Sequence, residues 1–399
     1  MFKGHPKGLL AAALSNMGER FGYYIMNAVL ALFLCSKFGL AEGQAGLIYS
    51  IFYAGIYILS LVGGFIADKT QNYKGTIMTG LAIMASGYVV LSIPVLATPQ
   101  NSSFLLTVTC LALFLIAFGN GLFKGNLQAI VGQMYDNFEA EEAKKGEEAL
   151  AIAKDKRDSG FQIFYMFINI GGFFAPWIAI GVRNWFLKAN GYDYDATLPE
   201  LCHQYLAEGT NMAPQALENL NTLANKVILD GTQVSDMTTF VNSYLDVFNR
   251  GFHYAFMAAI VAMGISLVIY LVNKSKFPDP GKKAAPANKA EKATVSKEEI
   301  QMSATEIRQR IYALFAVFGV VIFFWLSFHQ NGYSLTYFAR DYVDLSVINI
   351  DLGFTQIKGA EIFQCVNPFF VVTLTPLIMW LFGAMKQRGK EPSTPIKIA

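Results

Sequence analysis

The chain has 399 residues, of which 54% are hydrophobic and only 15% charged, with 33 Phe, 34 Gly and a formal net charge of +2. Soluble domains carry roughly 25% charged residues, so this composition excludes an ordinary globular domain and indicates a polytopic membrane protein. The four cysteines (Cys35, Cys110, Cys202, Cys365) show no metal or disulfide spacing, and no nucleotide, phosphate-loop or zinc motif is present, so no cofactor, metal or nucleic acid is expected.

Eight predominantly apolar stretches long enough to cross about 30 Å of hydrocarbon lie near 8–36, 43–67, 76–98, 104–133, 159–182, 251–273, 309–340 and 359–384. The first has a polar centre and no small-residue cleavage site, which predicts a retained span rather than a signal peptide. With the N-terminus in the cytoplasm, inner segments hold 22 Lys/Arg and outer segments 7, the remaining two being Arg20 and Lys124 within the membrane. The positive-inside rule then fixes the orientation. Residues 183–250 read as an exterior insert with helix-compatible patches such as "PQALENLNTLANKVIL", and 274–308 as a Lys-, Ala- and Pro-rich cytoplasmic linker. The expected fold is therefore all-α. A six-helix bundle over 1–273 is followed by the linker and by the first two helices of a second bundle over 309–399, after which the chain is expected to be truncated.

Polar residues recur within the spans. In the first, Asn16, Glu19, Arg20, Tyr23 and Asn27 fall at three- and four-residue steps, on one helical face. Arg20 lies about 18 Å along the helix axis, too deep for easy snorkelling. Ionisable groups at that depth cost about 2.5–3.5 kcal/mol on insertion scales, so they mark function by default; a Glu19–Arg20 pair that merely fixes packing is the alternative. Tyr57 in the second span reads, by itself, as one packed hydroxyl. The turn "GGFIADK" that follows puts Asp68 and Lys69 at the cytoplasmic end, where they either clip neighbouring helix ends or stay solvated.

The fourth span repeats the polar stripe with Asn120, Lys124 and Gln128, and its Gly119, Gly121 and Gly125 permit close helix approach. Desolvation would neutralise a lone Lys124, and Glu19 is its natural carboxylate partner. The fifth span carries Gln162, Tyr165 and Asn169; the seventh carries Trp325, His329, Tyr333 (or Gly332) and Thr336. The eighth carries Glu361, Gln364 and Asn367, with Pro368 inviting a kink. Each stripe alone fits interhelical hydrogen bonding as well as cavity lining. Five together predict a shared water-filled cavity. No nucleophile–base pair or metal cluster lies on the spans, so an intramembrane enzyme is the least favoured class.

Several of these stretches together resemble one family, collinearly along nearly the whole chain. "NMGERFGYY" is similar to the ExxERFxYY signature of the proton-dependent oligopeptide transporter family, a branch of the major facilitator superfamily. "GLFKGNLQAIVGQMYD", "FYMFINIGGFFAP", "FFWLSFHQNGYSL" and "IFQCVNPFFVVTLTPL" resemble that family's fourth, fifth, seventh and eighth spans. The resemblance implies two six-helix bundles that import di- and tripeptides with protons by alternating access, here in a bacterial inner membrane. It implies that Arg20 and Lys124 hold the peptide carboxylate, that Tyr23, Tyr24 and Tyr57 touch its backbone and side chains, and that Asn169 and Asn367 meet the backbone and amino end. Trp325 would shape a side-chain pocket and Glu19 would couple protons.

The departures are specific. Asn16 replaces the signature's first glutamate, Asn27 replaces an arginine, and His329 replaces a glutamate that is the arginine's gate partner in the family. His329, with an unperturbed pKa near 6.5, is a candidate substitute proton carrier; the alternative is a neutral imidazole donating one hydrogen bond. Asp68 and Asn27 stay as gating candidates. The family's tenth-span glutamate lies past the last residue of this chain, leaving deep charges of +1, with Glu361 a partial substitute. A small-peptide symporter is the leading expectation, completed by a missing C-terminal segment or a second polypeptide. A carrier of another anion such as nitrate with altered proton coupling, or a non-transporting membrane remnant, are the alternatives.

Overall fold

The computed structural model describes residues 4–279 and 304–390, so most of the predicted linker and the closing "EPSTPIKIA" lie outside the described residues. Among the described residues, eight helices are long and apolar enough to cross a membrane. Six come first: α1 (Leu9–Phe38), α2 (Glu42–Thr70), α3 (Tyr73–Ser92), α4 (Ser102–Ala143), α5 (Glu147–Ala189) and, after the short α6 (Leu198–Glu208) and α7 (Pro214–Val227), α8 (Met237–Asn273). Then follow α9 (Ala304–Phe328), the short α10 (Ser334–Tyr342) and α11 (Val366–Gln387). Between α10 and α11 a two-residue antiparallel ladder pairs β1 (Ile350–Asp351) with β2 (Gln356–Ile357), a small addition to the all-α expectation.

Local chemistry sets several ends. α1 stops at Gly39, whose φ of 63° is left-handed and whose amide donates to the Cys35 carbonyl. α3 opens on Asn72, whose side chain accepts from the Gly75 amide, and α8 on Asp236, which accepts from Thr238. α3 ends at Ser92, six residues before the predicted boundary, because Pro94 pushes Ile93 into an extended conformation. The expected 183–250 insert gives up its first and last turns to α5 and α8.

The seventh span departs most. In place of one helix over 309–340, α9 stops at Phe328, residues His329–Gly332 form a 3₁₀ turn, and α10 restarts at Ser334. The eighth opens as a 3₁₀ segment over Ala360–Cys365, and Pro368 falls in the first turn of α11, where a missing amide proton is tolerated. The predicted kink thus becomes a change of helix type just before the proline.

α1 is the enclosed element: 78% of its most apolar window is buried, against 0% for the windows that span α9 and α11. It packs against α5 and α8, while α4 packs between α2 and α3. Gly119 meets the backbone of Gly80, and Gly121 meets α2 at Leu59 and Gly63, contacts that a Cβ would block. Gly125, expected to do the same, faces open space and makes no such contact.

Candidate functional site

A cavity of about 300 Å³ opens between α1, α2, α4 and α5 on one side and α9, the 329–332 turn and the start of α11 on the other. Arg20, Tyr23, Tyr24, Tyr57, Lys124, Asn169, Trp325 and Asn367 all line it, together with Asn27, Gln128, Tyr165, His329 and Gln364. Residues from six separate helical elements therefore converge on one space, although they are up to 347 positions apart in the chain.

At its base the Arg20 guanidinium grips Glu19 with two hydrogen bonds, Nε to Oε2 at 2.5 Å and Nη2 to Oε1 at 2.7 Å. Asn120 of α4 donates to the same Oε1 at 2.8 Å. Glu19 is fully buried and Arg20 5% exposed, so the pair is removed from solvent except where the guanidinium edge meets the cavity. A buried ion pair repays desolvation only when its remaining donors and acceptors are satisfied, and Asn120 supplies one such contact. Arg20 also lies 4.8 Å from the Tyr23 ring centroid.

Lys124 stands apart from this pair. It makes no salt bridge among the described residues, and its ammonium sits 5.1 Å from the centroid of Tyr57. The expected Glu19–Lys124 pairing is corrected here: Glu19 is held by Arg20 and Asn120, which leaves the Lys124 charge to face the cavity.

The opposite wall is aromatic. His329 stacks on Trp325 at 5.3 Å between centroids, meets Tyr53 edge-on at 4.6 Å, and its Nε2 lies 3.4 Å from the Tyr57 hydroxyl. Asn27 accepts a 3.1 Å hydrogen bond from Tyr49, and both pack against Gly332. Asn169 donates to the Tyr165 carbonyl within its own helix. Tyr49, Tyr53 and Tyr57 thus form a stripe at four-residue steps on α2, where Tyr57 alone was singled out from the sequence. The i, i+4 spacing was the available signal.

Other expected members lie elsewhere. Asn16 is buried in α1 outside the cavity lining, and Gln162 is exposed. Tyr333 turns away to donate to the Glu42 carbonyl at 2.6 Å, and Thr336 is buried where it accepts from Gln364 at 3.1 Å. Asp68 accepts from the Tyr73 hydroxyl, joining the end of α2 to the start of α3, remote from the cavity. Glu361 is the main correction. It is fully buried against Arg183 of α5, so it does not supply a negative charge to the cavity.

Arg183 falls in the expected 183–250 exterior insert, yet α5 carries it and buries it fully. It donates to Glu361 and to Asn184 Oδ1 at 3.0 Å, and lies 3.9 Å from the Tyr194 ring centroid. Asn184 donates to the Gln356 and Lys358 carbonyls at 2.9 and 3.0 Å, and Thr355 to the Gly181 carbonyl at 2.6 Å. Arg340 pairs with Glu42, and Gln364 donates to the Ala28 carbonyl at 3.3 Å. Apart from the Arg183–Asn184 bond within α5, these bonds join the segments after α9 to the first six spans. Most lie at the end where α1 finishes and α2 begins, and the Ala28–Gln364 bond lies deeper, ten residues before the end of α1. They form a polar seam between the last two spans and the first six.

Comparison with known proteins gives a consistent family. The model of the POT family matches residues 74–296 and 285–399. The uncharacterized transporter YclF of Bacillus subtilis is 28% identical over 407 aligned positions, covering 100% of this chain and 71% of the relative. The peptide transporter YePEPT of Yersinia enterocolitica is 27% identical, covering 99% and 71%. The di-/tripeptide transporter of Lactococcus lactis is 26% identical, covering 99% and 72%. Among solved structures, a peptide transporter POT variant superimposes with a TM-score of 0.58 at 23% identity, over 97% of this chain and 71% of that one. That likeness shows the transporter fold, and the relatives named are transporters rather than enzymes.

Proposed function

The chain belongs to the POT family, and from that membership we propose that it carries di- and tripeptides across a membrane by alternating access, coupled to protons. One observation carries the reading: Arg20 of α1 and Lys124 of α4, both basic and both at membrane depth, line the same cavity. Arg20 is pre-positioned by Glu19, and Lys124 has no acidic partner among the described residues, so a peptide carboxylate entering the cavity meets a fixed guanidinium and an uncompensated ammonium. Tyr23, Tyr24 and Tyr57 supply hydroxyls and ring faces for the peptide backbone, Asn169 and Asn367 amides for its amino end, and Trp325 an apolar face for a side chain.

In the orientation with a cytoplasmic N-terminus, in a bacterial inner membrane, the polar seam faces outside and shuts the cavity from that solution. Asn27 sits at this closure and Asp68 at the other end of α2, positions from which each influences how the halves rock. Glu19 and His329 are the groups we assign to proton coupling, since Asn16 cannot titrate. His329 touches both Trp325 and Tyr57, so a change in its charge is felt by the substrate wall. Uptake of a labelled dipeptide into proteoliposomes with and without a pH gradient tests the proposal. Gradient-driven uptake is expected; no uptake in either condition overturns it, and unchanged pH dependence in His329→Gln removes His329 from coupling.

A second reading is favoured by one observation. The described residues that line the cavity include Arg20 and Lys124 and no Asp or Glu. Such a space suits an anion better than a zwitterion. Uptake of nitrate or of an acidic dipeptide in preference to a neutral one supports this reading, and preference for the neutral dipeptide contradicts it.

A further inference from the structure

A second cavity, of about 320 Å³, lies at the α1–α2 end inside the first six spans. It is walled by Lys37 of α1, by residues Pro94–Pro99 that follow α3, by His203 of α6, and by Asn249, Arg250 and His253 of α8. None of these residues belongs to the cavity that holds Arg20 and Lys124.

Its chemistry turns on Lys37, which is only 6% exposed. Lys37 makes no salt bridge among the described residues. Its ammonium donates to His253 Nε2 at 2.8 Å and lies 5.3 and 5.7 Å from the Phe33 and Phe38 ring centroids. The tautomer of His253 follows from its other nitrogen: Nδ1 is 2.5 Å from the Leu91 carbonyl, which can only accept, so Nδ1 carries the proton. A neutral imidazole with its Nε2 lone pair toward Lys37 therefore solvates the ammonium without cancelling its charge.

The surroundings do not cancel it either. Asp246 is the acid in the wall, and it pairs with Arg250, whose Nε donates to Oδ1 at 3.0 Å and lies 2.9 Å from Oδ2. His203 donates from Nε2 to the Ser36 carbonyl at 2.6 Å, and burial lowers its pKa from the ordinary value, so it stays neutral near pH 7. Asn249 is tied to Ser36 through two hydrogen bonds. The wall thus sums to one positive charge. The C-terminal dipole of α1 favours a cation here but amounts to only a fractional charge, so it does not neutralise the buried ammonium.

We propose that this cavity is a binding site for a small monovalent anion of the chloride type, held by the Lys37 ammonium and the Arg250 edge. One negative charge balances the wall, and the space holds a single hydrated halide with room for its waters. The bound anion ties α1, α6 and α8 together at this end. This site is separate from the peptide cavity, and its test does not depend on transport.

The purified full chain in detergent, titrated with sodium chloride against sodium gluconate at constant ionic strength, is expected to show a saturable rise in Tm. Lys37→Met is expected to lose that rise, while Lys37→Arg keeps it. A wild-type Tm indifferent to chloride, or a rise of the same size in Lys37→Met, overturns the proposal. Should Lys37→Met fail to fold, crystals of the wild-type chain grown in bromide decide the matter. An anomalous peak within the cavity beside Lys37 supports the site, and its absence there overturns it.

Discussion

Arg20 and Arg183 are both buried, at 5% and 0% exposure, and each is neutralised by a glutamate, yet the two pairs are built in opposite ways. Arg20 takes its carboxylate from the preceding residue of the same helix, while Arg183 takes its own from a segment 178 residues further along the chain. A partner on the same helix travels with the arginine through any rearrangement and leaves one edge of the guanidinium for the cavity. A partner on the other half exists only while the halves are together. The first arrangement suits a binding group and the second a latch, although both look alike in a table of buried charges.

Breaking the latch should give the largest effect. Arg183→Met strands the Glu361 carboxylate in a dry site, a loss of about 3–5 kcal/mol, seen as a lower midpoint of unfolding in detergent. Arg183→Met with Glu361→Met should recover most of it, because a matched apolar pair removes both desolvation penalties. If the single and double variants are equally destabilised, the pair is not what holds that seam.

Next in size is the binding side. Lys124→Gln removes an unpaired cavity charge and should weaken dipeptide binding about 10–100-fold, the equivalent of about 1.5–3 kcal/mol for a hydrogen bond to a charged group, with little change in unfolding midpoint. A stability loss as large as that of Arg183→Met would erase the distinction drawn between the two regions.

Two smaller changes sharpen it. Asn120→Leu deletes the hydrogen bond from α4 to Glu19 and should cost about 1–2 kcal/mol of stability, measured by the same unfolding midpoint. Glu42→Gln removes the Arg340 partner at the rim of the seam, where the Glu42 side chain is 47% exposed. Arg340 is itself 8% exposed but keeps Asp341 as a second partner at 2.7 Å, and the Glu42 end of the pair is solvated. The loss should therefore stay within about 1 kcal/mol, and the midpoint should barely move. A large drop would show that the rim, and not Arg183, closes that end.

How far these regions could be read from the sequence follows from their construction. The stripes on α1 and α4 repeat within a single helix, so three- and four-residue steps exposed them, and the residues named from them do share one cavity. Tyr49 and Tyr53 carry the same spacing as Tyr57, but tyrosines at helical steps with no charged residue on that face read equally as ordinary packing. Arg183 was missed for a different reason: the hydropathy of its span falls away at residue 182, whereas α5 continues to Ala189. Only the isolated Glu361, opposite in sign and likewise at the end of a span, hinted at a partner. The break after Phe328 has no proline to announce it, and Gly332 gains meaning only once Tyr49 and Asn27 are packed against it. Local periodicity was legible; pairing between distant segments was not.

Calorimetric binding of a dipeptide and of its C-terminal amide to the purified chain, in wild type and in Lys124→Gln, tests the central assignment most directly. If Arg20 and Lys124 hold the carboxylate, wild type binds the free acid at least about tenfold more tightly than the amide, and Lys124→Gln loses most of that preference. Equal affinity of the wild-type chain for acid and amide would contradict the assignment.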